Sequence, residues 1–230
     1  MYKDLAKYYD VLVKDDQATQ LWVDFFNRHQ SGKTVLELAS GTGEITLELA
    51  KNYLVDASDI SEPMLAEIKA KDNNMLNDIF KLDMTNFNLN KTYDNIICFC
   101  DSINYILDLS DLESMFKSVA SHLKVGGSFM FDMHTKDRLK EFSDPYIEVG
   151  QVLDTDFQWT IQTEDDFILH HFAFYTEAKT KQSHHIQKVF DLNKVVKLLE
   201  DLDFDLKIYT DFDQSGIHPG EKIFIVGRKL

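Results

Sequence analysis

Thr34-Val35-Leu36-Glu37-Leu38-Ala39-Ser40-Gly41-Thr42-Gly43-Glu44-Ile45-Thr46 reads as a buried strand, a glycine-bearing turn and the start of a helix. Val35, Leu36 and Leu38 supply the apolar run. Gly41 and Gly43 carry no Cβ, so the backbone can turn tightly there and approach a ligand. The helix continues through Ile45, Leu47, Leu49 and Ala50, with Thr42 as the expected N-cap. A strand entering a helix through a glycine turn is the nucleotide-type site of an open α/β sheet.

The charge before the turn separates the ligands such a site can take. A dinucleotide brings a pyrophosphate to the helix N-terminus, where a carboxylate would repel it. Glu37 stands at the strand end, four residues before Gly41, and position 46 is Thr where a third glycine would complete the dinucleotide pattern. S-adenosylmethionine, with an ammonium and a sulfonium, suits that carboxylate. The spacing Glu-x-Ala-x-Gly-x-Gly resembles motif I of the class I S-adenosylmethionine-dependent methyltransferases, E/D-x-G-x-G-x-G, with Ala39 where the family usually has its first glycine. Motif I implies Glu37, Ala39, Gly41 and Gly43 at the cofactor.

Composition bounds the rest. The 230 residues are 44% hydrophobic and 12% aromatic, with 3 Pro and 9 Gly, enough for a sizeable core and too little Pro and Gly for long linkers. A net charge of −15 disfavours nucleic acid, whose phosphates need clusters of Lys and Arg. No apolar run reaches the length of a membrane span. Met1-Tyr2-Lys3-Asp4 does not read as a secretory leader, and Cys98 and Cys100, on alternate positions of one run, would share a strand face rather than bridge. A reduced cytoplasmic protein is expected.

Along the chain, Leu5, Tyr8, Tyr9 and Leu12, then Leu21, Trp22, Phe25 and Phe26, fall at helical spacing. Residues 1–30 look like the helical lid of small-molecule methyltransferases, in which a tyrosine, here Tyr9, closes over the cofactor; plain core packing is the alternative. The second strand ends at Asp59, whose carboxylate can accept two ribose hydroxyls. Asp59-Ile60-Ser61-Glu62-Pro63-Met64-Leu65 is similar to the D-x-S-x-x-M-L segment of the family, which implies Asp59, Ile60 and Met64 on the cofactor, the methionine near the adenine. The third strand runs to Asp83 and Met84, the pair that in this family meets the adenine amino group and ring.

The fourth strand, Tyr93 to Cys100, leads to Asp101-Ser102-Ile103-Asn104-Tyr105, similar to a D-S-x-N-Y segment of small bacterial methyltransferases. Ligands sit at the carboxyl ends of parallel strands, so Cys100 and Asp101 are expected on the cofactor and Asn104 and Tyr105 on the substrate. The Asn/Asp-Pro-Pro-Tyr/Phe motif of adenine and glutamine N-methyltransferases is missing there. Leu-Lys-Val-Gly-Gly before the fifth strand is close to the family's L-K-P-G-G, and Gly126 and Gly127 read as the stop of the preceding helix. His134 follows the fifth strand, placed to face substrate and take a proton, or else structural. Residues 137–190 break the strand–helix rhythm: 146–153, 157–163, 167–175 and 183–190 read as strands. His170, His171, His184 and His185 come in adjacent pairs, and adjacent strand residues face opposite ways, so each pair offers one imidazole per face. A substrate contact by His184 or His185 is expected, and no metal.

These readings predict a doubly wound, seven-stranded, mostly parallel α/β sheet of Rossmann-like methyltransferase type, with an antiparallel β insertion. Residues 1–136 and 191–230 form the cofactor domain; 137–190 form a substrate cover and a surface for a homodimer. The implied activity is methyl transfer from S-adenosylmethionine to a small-molecule N or O nucleophile. The alternatives are an NAD(P)-dependent oxidoreductase and a cofactor-binding protein that has lost catalysis and acts through a protein partner.

Overall fold

The structure is a computed structural model describing residues 8, 12, 15–176 and 180–230. Helix α1 (Asp16–His29) precedes β1 (Thr34–Glu37), α2 (Glu44–Ala50), β2 (Leu54–Asp59), α3 (Glu62–Lys71) and β3 (Asp78–Lys81). Then come β4 (Tyr93–Cys98), a 3-10 turn at Ser102–Tyr105, α4 (Leu109–His122), β5 (Leu123–His134) and the short α5 (Lys136–Glu141). The inserted strands are β6 (Tyr146–Val152), β7 (Thr155–Glu164), β8 (Phe167–Tyr175) and β9 (Thr180–Lys188). The chain closes with α6 (Leu192–Glu200), β10 (Phe204–Thr210), β11 (Gln214–Ser215) and β12 (Lys222–Lys229).

The main sheet runs β11-β10-β12-β5-β4-β1-β2-β3. β1 to β5 pair in parallel, and β12 pairs antiparallel with both β5 and β10. Seven long strands are as expected; the eighth is the two-residue β11, which pairs with Tyr209 and Thr210 at the edge. The period-two alternation of buried strands divides the core. Leu36, Leu38, Phe129 and Phe131 face Phe116 and Val119 of α4 on one side. Val35 and Met130 face Phe25 and Phe26 of α1 and Leu49 of α2 on the other. β1 lies between β2 and β4, so strand order reverses at its carboxyl end and opens a crevice there.

The second sheet is fully antiparallel, in the order β6-β7-β8-β9. Its inner face carries Phe157, Trp159 and Ile161 from β7, Ile168, His170, Phe172 and Phe174 from β8, and Ser183, His185 and Gln187 from β9. Tyr8 is buried and stacks on Phe174 with 4.6 Å between ring centroids, which makes it core under this sheet. Tyr9 lies outside the described residues.

Two local expectations are corrected. The cap of α2 is Gly43, at φ +88°, not Thr42. Gly126 and Gly127 do not stop α4: that helix ends at His122, Leu123 turns the chain extended, and the glycines lie within β5 beside a register shift against β4.

Candidate active site

The turn after β1 places Ala39 (φ +53°), Gly41 (φ +56°) and Gly43 (φ +88°) in left-handed conformations at alternate positions. A Cβ on Gly43 would stand 2.9 Å from Ile68 Cγ1, so this glycine lets α2 pack on α3. A Cβ on Gly41 would meet nothing within 4 Å: it would project into open space on the wall of the crevice. Ala39 takes up the backbone conformation that the motif usually gives to glycine. The turn is tied to β2 by Ser40 N–H donating to Ser58 O at 2.9 Å and Gly41 N–H donating to Asp59 Oδ2 at 2.9 Å.

Two adjoining chambers open at the carboxyl ends of the strands. One, of about 810 Å³, is lined by Asp59, Ile60, Met64, Asp83, Met84 and Tyr105. The other, of about 360 Å³, is lined by Trp22, Glu37, His134, Trp159, His170 and Gln187. They share Ala39, Gly41, Cys100, Asp101, Ser102 and Tyr105. Cys100 (φ +56°) and Asp101 (φ +49°) hold this shared wall in a strained left-handed pair.

The larger chamber fits the adenosine of S-adenosylmethionine. Asp59 is buried, and its carboxylate accepts the N–H groups of Gly41 and of Ser61, the latter at 2.8 Å. A carboxylate has about four lone-pair sites, so two hydroxyls can still be taken. Burial raises its pKa against those backbone donors. Ile60, 59% exposed, offers an apolar face beside it, and Met64 is held at the start of α3 by the Ser61 cap. Asp83 Oδ1 accepts from Thr85 N and Oγ1, leaving Oδ2 for an amino group.

Glu37 fits the cofactor's ammonium. It is 4% exposed, and Thr46 Oγ1 donates to its Oε2 at 2.5 Å. Burial pushes its pKa up to about 8; the Thr46 hydrogen bond opposes the rise and the Asp59 charge adds to it. Glu37 makes no ion pair among the described residues, and it lines the chamber where a cationic group of a ligand would meet it.

Behind the shared wall lies a polar network. Lys222 Nζ donates to Asp101 Oδ1 and, at 2.8 Å, to Asp132 Oδ2. Asp132 also accepts the Asp101 N–H at 2.9 Å and the Trp22 indole N–H at 3.2 Å. Gln187 Nε2 donates to Asp101 Oδ2 at 2.6 Å, and its Oε1 lies 3.1 Å from His134 Nε2 and 3.0 Å from His170 Nε2. His134 Nε2 is 3.5 Å from Asp101 Oδ2.

The expected site residues therefore divide. Glu37, Ala39, Gly41, Asp59, Ile60, Met64, Asp83, Met84, Cys100, Asp101, Tyr105, His134 and His185 line one or both chambers. Gly43 supports the turn from behind. Asn104 is corrected: it is fully buried, its Nδ2 donating to Lys188 O at 2.6 Å and its Oδ1 accepting from His134 N at 3.1 Å, so it braces the site instead of facing substrate. His184 is corrected too: it lies on the outer face of the second sheet, its Nδ1 2.6 Å from His171 Nδ1. Asp132, Lys222, His170, Gln187 and Trp159 were missed. Of these only Asp132, an acid inside an apolar strand, gave a signal in the sequence.

A family model described as a methyltransferase domain matches residues 35–127. A protein of Geobacillus sp. (strain WCH70) bearing the name "Putative methyltransferase" is 26% identical, with 99% of each chain covered. The crystal structure of an S-adenosylmethionine-dependent methyltransferase from Clostridium acetobutylicum ATCC 824 is 26% identical, with a TM-score of 0.82 over 99% of this chain and 98% of that one. The sugar N-methyltransferase KedS8 from Streptoalloteichus sp ATCC 53650 shares the fold at 20% identity, with a TM-score of 0.75 over 94% of this chain and 88% of that one.

Proposed function

We propose, from the premise that this chain is a class I S-adenosylmethionine-dependent methyltransferase, that it methylates the amine nitrogen of a small molecule held beneath the second sheet. The relatives favour methyl transfer over the nicotinamide-dependent alternative. The observation that carries the acceptor reading is the meeting of the two chambers at Ala39, Gly41, Cys100–Ser102 and Tyr105. A cofactor with its adenosine against Asp59 and Asp83 and its ammonium at Glu37 brings its methyl group to that junction, facing the smaller chamber.

When bound, S-adenosylmethionine supplies an electrophilic methyl group on a sulfonium. The chain's own part is orientation, exclusion of water and removal of a proton. Trp159, Phe172 and Tyr105 give the acceptor apolar walls, and burial lowers the pKa values of His170 and of His185, the latter to about 4, so both imidazoles are neutral at pH 7. His134 takes the proton that the acceptor loses. An alkylammonium, with a pKa of about 10, gives up its proton far more readily than a hydroxyl, at about 16, which favours nitrogen. The sugar N-methyltransferase KedS8 supports the same choice by its shared fold. The reading places the enzyme in the cytoplasm with both cysteines reduced, and assigns the outer edge of the second sheet to a second copy of the chain. No described helix is long and apolar enough to cross a membrane.

Calorimetric titration with S-adenosylhomocysteine tests the cofactor site, with Asp59→Ala beside the wild type. Micromolar binding that weakens at least tenfold in the variant, a loss of about 1.4 kcal/mol or more, is expected. Equal binding by both would remove Asp59 from the site. Turnover of a panel of small amines and alcohols, read by product mass, then decides nitrogen against oxygen.

A further inference from the structure

The network behind the shared wall sets two carboxylates, Asp101 and Asp132, against the one ammonium of Lys222. Asp132 is fully buried, and its oxygens are taken by Lys222, the Asp101 N–H and the Trp22 indole. Asp101 differs. Its side chain is 24% exposed and it lines both chambers, so it reaches the junction where methyl group and acceptor would meet. Against the opposing effect of burial, Lys222 holds it well below the usual carboxylate range. Its Oδ1 accepts from Lys222 and its Oδ2 from Gln187, with His134 Nε2 3.5 Å from Oδ2. An ionised carboxylate has about four lone-pair sites, so a donor in the chamber can still be taken.

Among the described residues, the cations that line the smaller chamber are already committed. Lys222 serves the two carboxylates, and Arg138 Nη1 meets Glu141 at 2.6 Å. His134 Nε2 faces Asp101 and Gln187, and burial lowers the pKa values of His170 and His185. A phosphate or carboxylate on the acceptor would therefore find no spare positive charge, and would face Asp101 and Glu37. An ammonium finds the reverse. Besides Asp101 it meets the rings of Trp159, Phe172 and Tyr105, the first two stacked with 5.0 Å between centroids. Aromatic faces attract cations, and a hydrogen bond from an ammonium to a carboxylate is about twice as strong as a neutral one. We propose that Asp101 is a specificity-determining residue: with the aromatic side chains around it, its carboxylate selects a small ammonium-bearing acceptor that carries no phosphate or carboxylate. This rests on the reading that the smaller chamber holds the acceptor. A primary or secondary amine still has an N–H for Asp101 once one proton has left, so the same contact serves the ammonium that docks and the amine that attacks.

The test needs no knowledge of the natural acceptor. The full chain saturated with S-adenosylhomocysteine is titrated calorimetrically with two matched series: benzylammonium, benzyl alcohol and benzoate, then propylammonium, propanol and propanoate. In at least one series the ammonium should bind about tenfold or more tighter than the alcohol, with no binding of the carboxylate. In Asp101→Asn, which keeps a hydrogen-bonding group but removes the charge, that preference should fall to about twofold or less. A carboxylate that binds as well as its ammonium overturns the proposal, as does binding of neither ammonium, and both are read on the wild type if the variant fails to fold. A preference that survives in Asp101→Asn overturns it too. So does a variant that loses affinity for S-adenosylmethionine alone, because the carboxylate would then serve the sulfonium. S-adenosylhomocysteine titration of the same samples reads the cofactor site separately: its failure counts against the methyltransferase site, and its success with failed probes counts against Asp101 only.

Discussion

Ala39, Gly41 and Gly43 share a left-handed backbone, yet different forces act on each, and substitution separates them. The left-handed conformation costs a residue with a Cβ about 1–2 kcal/mol, and glycine loses about 0.5–1 kcal/mol more entropy on folding. Ala39→Gly should therefore leave stability unchanged or raise it by up to about 1.5 kcal/mol, read as a higher Tm. Gly43→Ala drives a Cβ to 2.9 Å from Ile68 and should lower Tm clearly. Gly41→Ala carries the same left-handed strain and also fills open space on the crevice wall, so it should lower both Tm and S-adenosylhomocysteine affinity. Glu37 gives a second test. With a pKa raised from 4.5 to about 8, the ligand-free acid is protonated at neutral pH, and an ammonium beside it favours the ionised form. Cofactor binding at pH 7 should release close to one proton, measured by calorimetry in buffers of different ionisation enthalpy. A count near zero would mean that Glu37 is already ionised. The folded chain binds this proton more tightly than the unfolded chain, so the stabilisation is full below pH 4.5 and is lost as pH rises through about 8. Glu37→Gln should flatten that decline.

Elements meet at the site through charge, and Lys222 is where they meet. β12 supplies the lysine, β5 supplies Asp132, the turn after β4 supplies Asp101, and α1 supplies the Trp22 indole. Lys222→Met would leave the buried Asp132 and the half-buried Asp101 without their cation, and should destabilise by about 3–5 kcal/mol in denaturant unfolding. A change below about 1 kcal/mol would show that water already screens the cluster. Beyond Asp132, an acid inside an apolar strand, nothing in the sequence announces this network, because its contacts join residues 121 and 86 positions apart, Asp101 with Lys222 and Asp101 with Gln187. The elements themselves were legible. Strand period two allowed one imidazole of each histidine pair per face, without saying which, and acids at strand ends marked Asp59 and Asp83. Misreadings arose where local propensity met tertiary geometry. Thr42 looks like a cap but is buried under a turn that Gly43 closes. Asn104 sits at the substrate end of its strand, yet both ends of its amide go to backbone groups.

For the whole molecule, the parallel sheet, its antiparallel end and the inserted strands were all readable, because each depends on runs of local pattern. How the insertion completes the site was not, since that depends on how the second sheet docks. Among the described residues, the same sheet leaves an open edge. Every residue of β6 except Val152 is exposed, with Ile147 at 58% and Val149 at 70%. An unpaired apolar edge invites a further strand, and a two-fold pairing of β6 with β6 in a second copy satisfies it without leading to open fibres. Each copy carries a net charge of −15, so the pairing opposes mutual repulsion that salt screens. The mass measured by light scattering on a sizing column should therefore be twice 26.7 kDa, with the dimer fraction rising between low and high salt. Val149→Lys puts two like charges beside the axis, where each would also lie near the partner copy's edge, and should return the chain to a monomer with the wild-type circular dichroism spectrum. A wild-type monomer at every salt concentration would end the edge-pairing assignment while leaving the acceptor chamber untouched, since Trp159, His170 and Gln187 lie on the inner face of β7–β9.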